Sequence, residues 1–226
     1  MACAAEALDA RLRLAASLYP HCALGADIGT DHGLLPCWLL EHGVCERMIL
    51  ADRSEKALRH AAERVRRLHL EERALIRCAD GLDAVTEPCG CVSVMGMGGQ
   101  TIADILRSGI RRLSGATLIL SAHTQPFLVR QALAEIGYRL VREEPCVCRG
   151  YAYLVWRAEP GGMVLTPQEL RVGPLLAESR SPELRPYLAA RLRAVARQLE
   201  DTRTGSPKRA ELEEDLAFYR ALWDKL

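Results

Sequence analysis

The chain has 226 residues, 49% of them apolar and 26% charged, with 30 basic against 29 acidic side chains. That length can bury a full core without a partner, and the near-balance of charge excludes a global pull towards nucleic acid, so any such contact must come from a local patch. The opening MACAAEALDARLRLAASLYP has charges spaced through it and no unbroken apolar run, which argues against a secretory signal or a membrane span and for a cytoplasmic protein.

In chain order, an amphipathic helix is expected at about residues 4 to 18. ALGADIG and RMILAD read as buried strands, and SEKALRHAAERVRRLHL as a helix with Ser54 as its N-cap. ALIRCAD, CVSVMGMGG and ATLILSAH read as further strands, alternating with the helices QTIADILRSGI and QPFLVRQALAEIG. YRLVREEPCV and YAYLVWRAE then follow with almost no room for a helix between them, which implies an antiparallel pair. After Gly161-Gly162 the pattern changes to SPELRPYLAARLRAVARQLEDTR and PKRAELEEDLAFYRALWDKL, amphipathic helices joined by the turn TGSP. The expected fold class is α/β: a Rossmann-like parallel sheet over 1–160 with helices on both faces and an antiparallel C-terminal strand pair, followed over 161–226 by a coiled-coil-like helical hairpin.

Nine cysteines scattered through apolar segments suit a reducing compartment better than a disulfide framework. Cys89/Cys91 and Cys146/Cys148 place sulfurs on one face of a strand, but no histidine stands at zinc-finger spacing to either pair. They read as buried or incidental thiols, and no metal is expected.

In an open parallel sheet, ligands sit beyond the carboxyl ends of the strands where strand order reverses. The loops there carry Asp27, Gly29, Thr30, Asp31, His32 and Gly33; Asp52 and Arg53; Asp80, Gly81 and Leu82; and Met95, Gly96, Met97, Gly98 and Gly99. A dinucleotide fingerprint needs glycine where Asp31 stands, because the backbone must close on a pyrophosphate. Beside Asp27 and Asp31 a pyrophosphate would meet like charge. S-adenosylmethionine carries a sulfonium and an ammonium instead, so carboxylates attract it. Asp52 is placed to accept the ribose hydroxyls and Asp80 the exocyclic amine of the adenine. Three glycines in VMGMGGQ make room for a ligand or a substrate backbone, and Met95 and Met97 can pack against an adenine ring or fill the core.

ADIGTDHGLLP, CADGL, VMGMGGQTIADIL, LIL and LTPQELRVGPLL occur in the order found in the bacterial tRNA (adenine-22-N1)-methyltransferase family, which the chain resembles over nearly its whole length. The resemblance implies S-adenosylmethionine-dependent methylation of N1 of an adenine in the tRNA D-arm, with the C-terminal helices helping to hold the RNA. By motif match it carries over Asp27, Gly29, Asp31, His32, Asp80, Gly81, Leu82 and the Gly96 to Gly99 turn as cofactor positions. The chain departs from the family at Ser121-Ala122-His123, where Gln-Pro-Asn is usual, and in LADRSEKAL, where a glutamate is usual.

Adenine N1 already has a lone pair, so no strong base is required before attack. Asp31, His32 and His123 are the candidates for contact with the reacting base, which must be unpaired or flipped out. Phe127 or Tyr151 could stack on it. Arg171, Arg180, Arg185, Arg191, Arg193, Arg197 and Arg203 outnumber the acids between them and form a candidate phosphate-contacting face, with Arg191 and Arg193 marked for charge reversal. The partners expected are tRNA and no membrane, and the protein is read as a monomer or weak dimer. A nucleotide-dependent oxidoreductase and a non-catalytic RNA-binding protein that retains the pocket are the alternatives.

Overall fold

The computed structural model describes residues 8–226. The first helix, α1 (Ala10–Leu18), begins at an Asp9 cap, so residues 4–7 of the expected helix lie outside the described residues. Among the described residues, seven strands, β1 (Cys22–Ile28), β2 (Cys45–Asp52), β3 (Ala74–Cys78), β4 (Cys91–Met97), β5 (Thr117–Ala122), β6 (Tyr138–Cys148) and β7 (Tyr151–Pro160), form one sheet in the order β3-β2-β1-β4-β5-β7-β6. β1 to β5 run parallel, whereas β7 is antiparallel to both β5 and β6.

Side chains on a strand point alternately to opposite faces. In β2, Ile49 and Ala51 enter one apolar core and Met48 and Leu50 the other. The second face is covered by α1, α2 (Leu34–Glu41) and α3 (Glu55–Arg67), through Ala15, Leu39, Leu40, Ala61 and Val65. The first is covered by α4 (Gly99–Ser108) and α6 (Pro126–Glu135), with the short α5 (Ile110–Leu113) between them. Ile102 and Leu106 of α4 are fully buried, and each such aliphatic side chain contributes about 1.5–3 kcal/mol of apolar burial.

Ser54 caps α3 as its sequence predicts, accepting from the Ala57 N–H at 3.4 Å. The last turn carries Arg64, Arg66 and Arg67, the sign that suits a helix carboxyl end. α2 is the element that periodicity does not reveal. Leu35, Pro36, Cys37, Leu39 and Leu40 are all buried, so the segment lacks the polar face that marks an amphipathic helix.

After β7 come α7 (Pro167–Val172), α8 (Leu184–Asp201) and α9 (Pro207–Trp223), with α8 and α9 forming the expected hairpin. Leu184, Tyr187, Leu188 and Val195 of α8 and Leu212, Tyr219 and Leu222 of α9 join the core that also contains Leu154 and Trp156 of β7. Apolar packing is therefore continuous from the sheet into the C-terminal helices. A fully buried ion pair, Arg130–Glu143, reinforces that junction at 2.7 Å. Among the described residues, no helix is long and apolar enough to cross a membrane.

Candidate active site

Strand order reverses at β1, which has β2 on one side and β4 on the other. Two cavities adjoin there, sharing Gly29, Asp52 and Met97. The larger, about 750 Å3, is lined by Asp52, Arg53, Asp80, Gly81, Leu82 and Gly98, together with Asp83, Thr101, Asp104 and Ile105. The smaller, about 450 Å3, is lined by Asp27, Thr30, Asp31, His32, Met95, Gly96 and His123, together with Arg11, Leu12, Leu34 and Leu35.

Among the described residues, the larger cavity thus presents the carboxylates of Asp52, Asp80, Asp83 and Asp104 against the guanidinium of Arg53. Asp52 uses one oxygen, Oδ1, to accept the Ser54 N–H at 2.8 Å, and the carboxylate retains further acceptor capacity. Asp80 is exposed at the rim. Such a wall repels a pyrophosphate and suits a cationic nucleoside with hydroxyls and an amine to donate.

Asp27 is only 6% exposed and accepts from Ser93 Oγ at 2.6 Å. Burial raises its pKa, and the Ser93 hydrogen bond opposes that shift. A cation arriving in the smaller cavity would relieve this desolvation. The turn that follows is left-handed at Gly29, Asp31 and Gly33, a conformation that aspartate tolerates better than most side chains. Asp31 and His32 stand largely in solvent, with His32 Nε2 3.6 Å from Asp31 Oδ2. The His32 ring leans on His60 at 5.1 Å, and its carbonyl accepts from Arg64 Nε at 2.8 Å.

The glycine turn after β4 has two jobs. Gly96 (φ 78°) lies in the smaller cavity with no atom within 4 Å of where a Cβ would stand. Gly99 lines neither cavity, and a Cβ there would meet the Gln125 carbonyl oxygen at 2.1 Å. The space expected for a ligand at Gly99 is taken by the chain's own backbone. Its N–H donates to Thr124 O at 2.8 Å, and the His123 N–H donates to Met97 O at 2.8 Å. These two bonds fasten the loop after β5 to the glycine turn and set His123 at the smaller cavity.

His123 has an environment that its sequence neighbourhood does not reveal. Arg11 Nη1 donates to His123 Nε2. The His123 ring lies 5.5 Å from that of Tyr153, over which the Arg11 guanidinium sits at 5.2 Å. Burial, then the Arg11 charge, lowers the imidazole pKa below its ordinary value. Neither Phe127 nor Tyr151 lines either cavity. The aromatic ring beside His123 is that of Tyr153, two residues further along β7 and on the same strand face as Tyr151.

The candidate RNA-facing arginines divide into two groups. Arg180, Arg185, Arg193, Arg197 and Arg203 are exposed, with Arg185 lying over the Trp223 ring at 4.9 Å. Arg171 is bound to Asp215 at 2.8 Å and Glu214 at 2.6 Å. Arg191 lies over the Tyr219 ring at 5.5 Å with its Nε buried. These last two serve the packing of α7, α8 and α9, so a charge reversal at Arg191 would perturb the fold rather than report on RNA. Among the described residues, no cluster of His, Cys, Asp or Glu is arranged to hold a metal ion.

A methyltransferase-domain family model matches residues 8–156. The Bacillus subtilis (strain 168) protein named tRNA (adenine(22)-N(1))-methyltransferase is 31% identical over 183 residues, 77% of this chain and 76% of that one. The chain belongs to the tRNA (adenine(22)-N(1))-methyltransferase family. Solved structures agree with that membership. A Streptococcus pneumoniae protein described as a tRNA (m1A22) methyltransferase, in complex with S-adenosyl-L-methionine, superposes with a TM-score of 0.83 at 28% identity, covering 96% of this chain and 100% of that one. The B. subtilis family member TrmK superposes with a TM-score of 0.82 at 25% identity, covering 96% and 99%. Both matches extend through the C-terminal helices as well as the sheet.

Proposed function

We propose that this protein is an S-adenosylmethionine-dependent tRNA methyltransferase that modifies N1 of an adenine in the D-arm, position 22 in its relatives' numbering. The observation that carries this reading is the pair of adjoining cavities at the strand-order reversal. One has an acidic wall suited to a cationic nucleoside, and the other is a smaller chamber, sharing Gly29, Asp52 and Met97, that would take the cofactor's amino-acid end on its Asp27 side and the reacting base on its His123 side.

In the larger cavity Asp52 would take the ribose hydroxyls and Asp80 the adenine amine, with Met97 and Leu82 as apolar walls. Asp27 and the Gly29 to Gly33 turn would hold the amino-acid end. When bound, S-adenosylmethionine would supply an electrophilic methyl group to the lone pair of adenine N1. The protein's own work is placement and exclusion of water. His123 lines the smaller chamber, with the Tyr153 ring 5.5 Å behind its own, and Asp31 supplies negative charge near a base that becomes cationic on methylation. Exposed Arg180, Arg185, Arg193 and Arg197 are assigned to the RNA backbone, and the site of action is assigned to the cytoplasm as a monomer or weak dimer.

Thermal unfolding with and without ligands tests the cofactor assignment, because a ligand that binds the native state raises its stability. S-adenosylmethionine and S-adenosylhomocysteine are expected to raise the midpoint and NAD to leave it unmoved. Stabilisation by NAD alone would overturn the reading in favour of an oxidoreductase.

A further inference from the structure

The strongest unassigned feature is the contact between α1 and the loop after β5. Arg11 lies 112 residues from His123 in sequence, yet its Nη1 meets His123 Nε2, and its guanidinium is held over the Tyr153 ring at 5.2 Å. Helix α1 is seated against β6, β7 and β5, so the contact is built into the packing of the second sheet face. Guanidinium has donors and no acceptor and stays charged throughout the biological range. The ring nitrogen it meets must therefore be the bare one, which makes His123 neutral with its proton on Nδ1.

We propose that Arg11 is a positioning residue for methyl transfer: it holds His123 as the neutral Nδ1–H tautomer, so that the ring offers the base chamber one donor and no cationic N–H. The proposal rests on the functional reading above. Without Arg11, an imidazolium is free to turn its Nε2–H towards the target and hydrogen-bond the N1 lone pair, occupying the electrons that must attack the methyl group. One neutral donor can instead hold a different acceptor of the purine, N3 or N7, and leave N1 exposed. Burial and the adjacent fixed cation both act in that direction.

The other titratable groups facing His123 are Asp27, Asp31, His32 and Asp52 along the cavity wall, Tyr153 on β7, and Cys146 on β6, whose thiol burial pushes up to about 12. Asp9, on the same helix as Arg11, is engaged as its cap with the Leu12 N–H. The carboxylates favour the imidazolium, so the Arg11 contact opposes them.

The test is long-range proton–nitrogen correlation spectroscopy on protein labelled with 15N-histidine and bound to S-adenosylhomocysteine, combined with pH profiles of kcat and KM for tRNA. The wild type is expected to show His123 with Nδ1 protonated and Nε2 bare from about pH 6 to about pH 8. Arg11→Met is expected to bring the Nε2–H tautomer and a higher His123 pKa. Its kcat should fall roughly tenfold at about pH 6 relative to the wild type, with S-adenosylhomocysteine affinity kept within about twofold as evidence of an intact fold. Arg11→Lys, which keeps a donor and the charge, should restore most of the acid-side rate. An Nε2–H or doubly protonated His123 in the wild type, or an acid limb unmoved in Arg11→Met, overturns the proposal. The wild-type spectrum needs neither a variant nor RNA. A wild type with the Nδ1–H tautomer but no methyl transfer would sink the functional reading alone, whereas active enzyme with the other tautomer would sink this proposal alone.

Discussion

At the carboxyl rim of the sheet, Asp52 and Asp80 stand around a cavity of about 750 Å3 with acceptor capacity left over. At the junction with the C-terminal helices, Glu143 is fully buried and its oxygens are all engaged. Oε1 accepts from Arg130 Nε at 3.0 Å, Arg130 Nη2 at 2.7 Å and Trp156 Nε1 at 2.8 Å, and Oε2 accepts from the Leu175 N–H at 3.1 Å. Arg130 Nη1 in turn donates to Leu170 O at 2.7 Å. A carboxylate whose partners are all inside the protein fixes a fold, and one whose partners are incomplete is prepared for a ligand. The two regions therefore call for opposite responses to substitution: loss of stability at the junction, loss of binding with little loss of stability at the rim.

The largest expected effect is at the junction. Glu143→Ala leaves Arg130 buried and unpaired and should cost about 3–5 kcal/mol in urea unfolding. The double variant Arg130→Met/Glu143→Leu removes the stranded charge and should recover part of that loss, the remainder reflecting the partners withdrawn from Trp156 Nε1, the Leu175 N–H and Leu170 O. A double variant as unstable as the sum of the singles would remove the pairing argument.

Next comes Asp52→Ala at the rim. It should weaken S-adenosylmethionine binding by about 1.5–3 kcal/mol in calorimetry, while the ligand-free protein unfolds within about 0.5 kcal/mol of the wild type. A large stability loss with normal affinity would reverse the roles assigned to the two regions. Gly173→Ala belongs to the junction again. With φ at 107° and the Glu143 Oε2 oxygen 2.3 Å from where a Cβ would stand, it should cost about 1–3 kcal/mol of stability. Unchanged stability there would show that the Glu143 cluster can shift freely.

The smallest effect belongs to the exposed face of α8. Arg193→Glu with Arg197→Glu should weaken tRNA binding and reduce the salt dependence of affinity by about two units of slope, with cofactor affinity unchanged. Equal tRNA affinity at moderate salt would remove this face from the RNA contact.

The strands and their loops were legible because fully buried parallel strands read as apolar runs, and the rule for open sheets then points to the carboxyl ends. Ala26 and Ile28, for instance, lie in the core directly before the Gly29 turn. Arg11 and Tyr153 were not legible, since neither stands near a motif and their meeting at His123 depends on where α1 docks across the sheet. No motif marks Arg130 and Glu143, because their burial depends on a covering segment some 30 to 40 residues further along.

Arg191 teaches a different lesson. The buried stripe of α8 runs through Leu184, Tyr187, Leu188 and Val195, and Arg191 occupies the position on that stripe between Leu188 and Val195. Counting its helical phase places it inward, against Tyr219, whereas Arg193 and Arg197 fall on the exposed side. Grouping arginines by number alone hid a distinction that the 3.6-residue period contains.

Methyl transfer itself is read by incubating the protein with labelled S-adenosylmethionine and unmodified tRNA, then digesting the RNA to nucleosides and mapping the modified position. The expected product is 1-methyladenosine at a single D-arm adenine, abolished when that adenine is replaced. Binding of the cofactor with no methyl transfer, or transfer to another atom or another base, would contradict it.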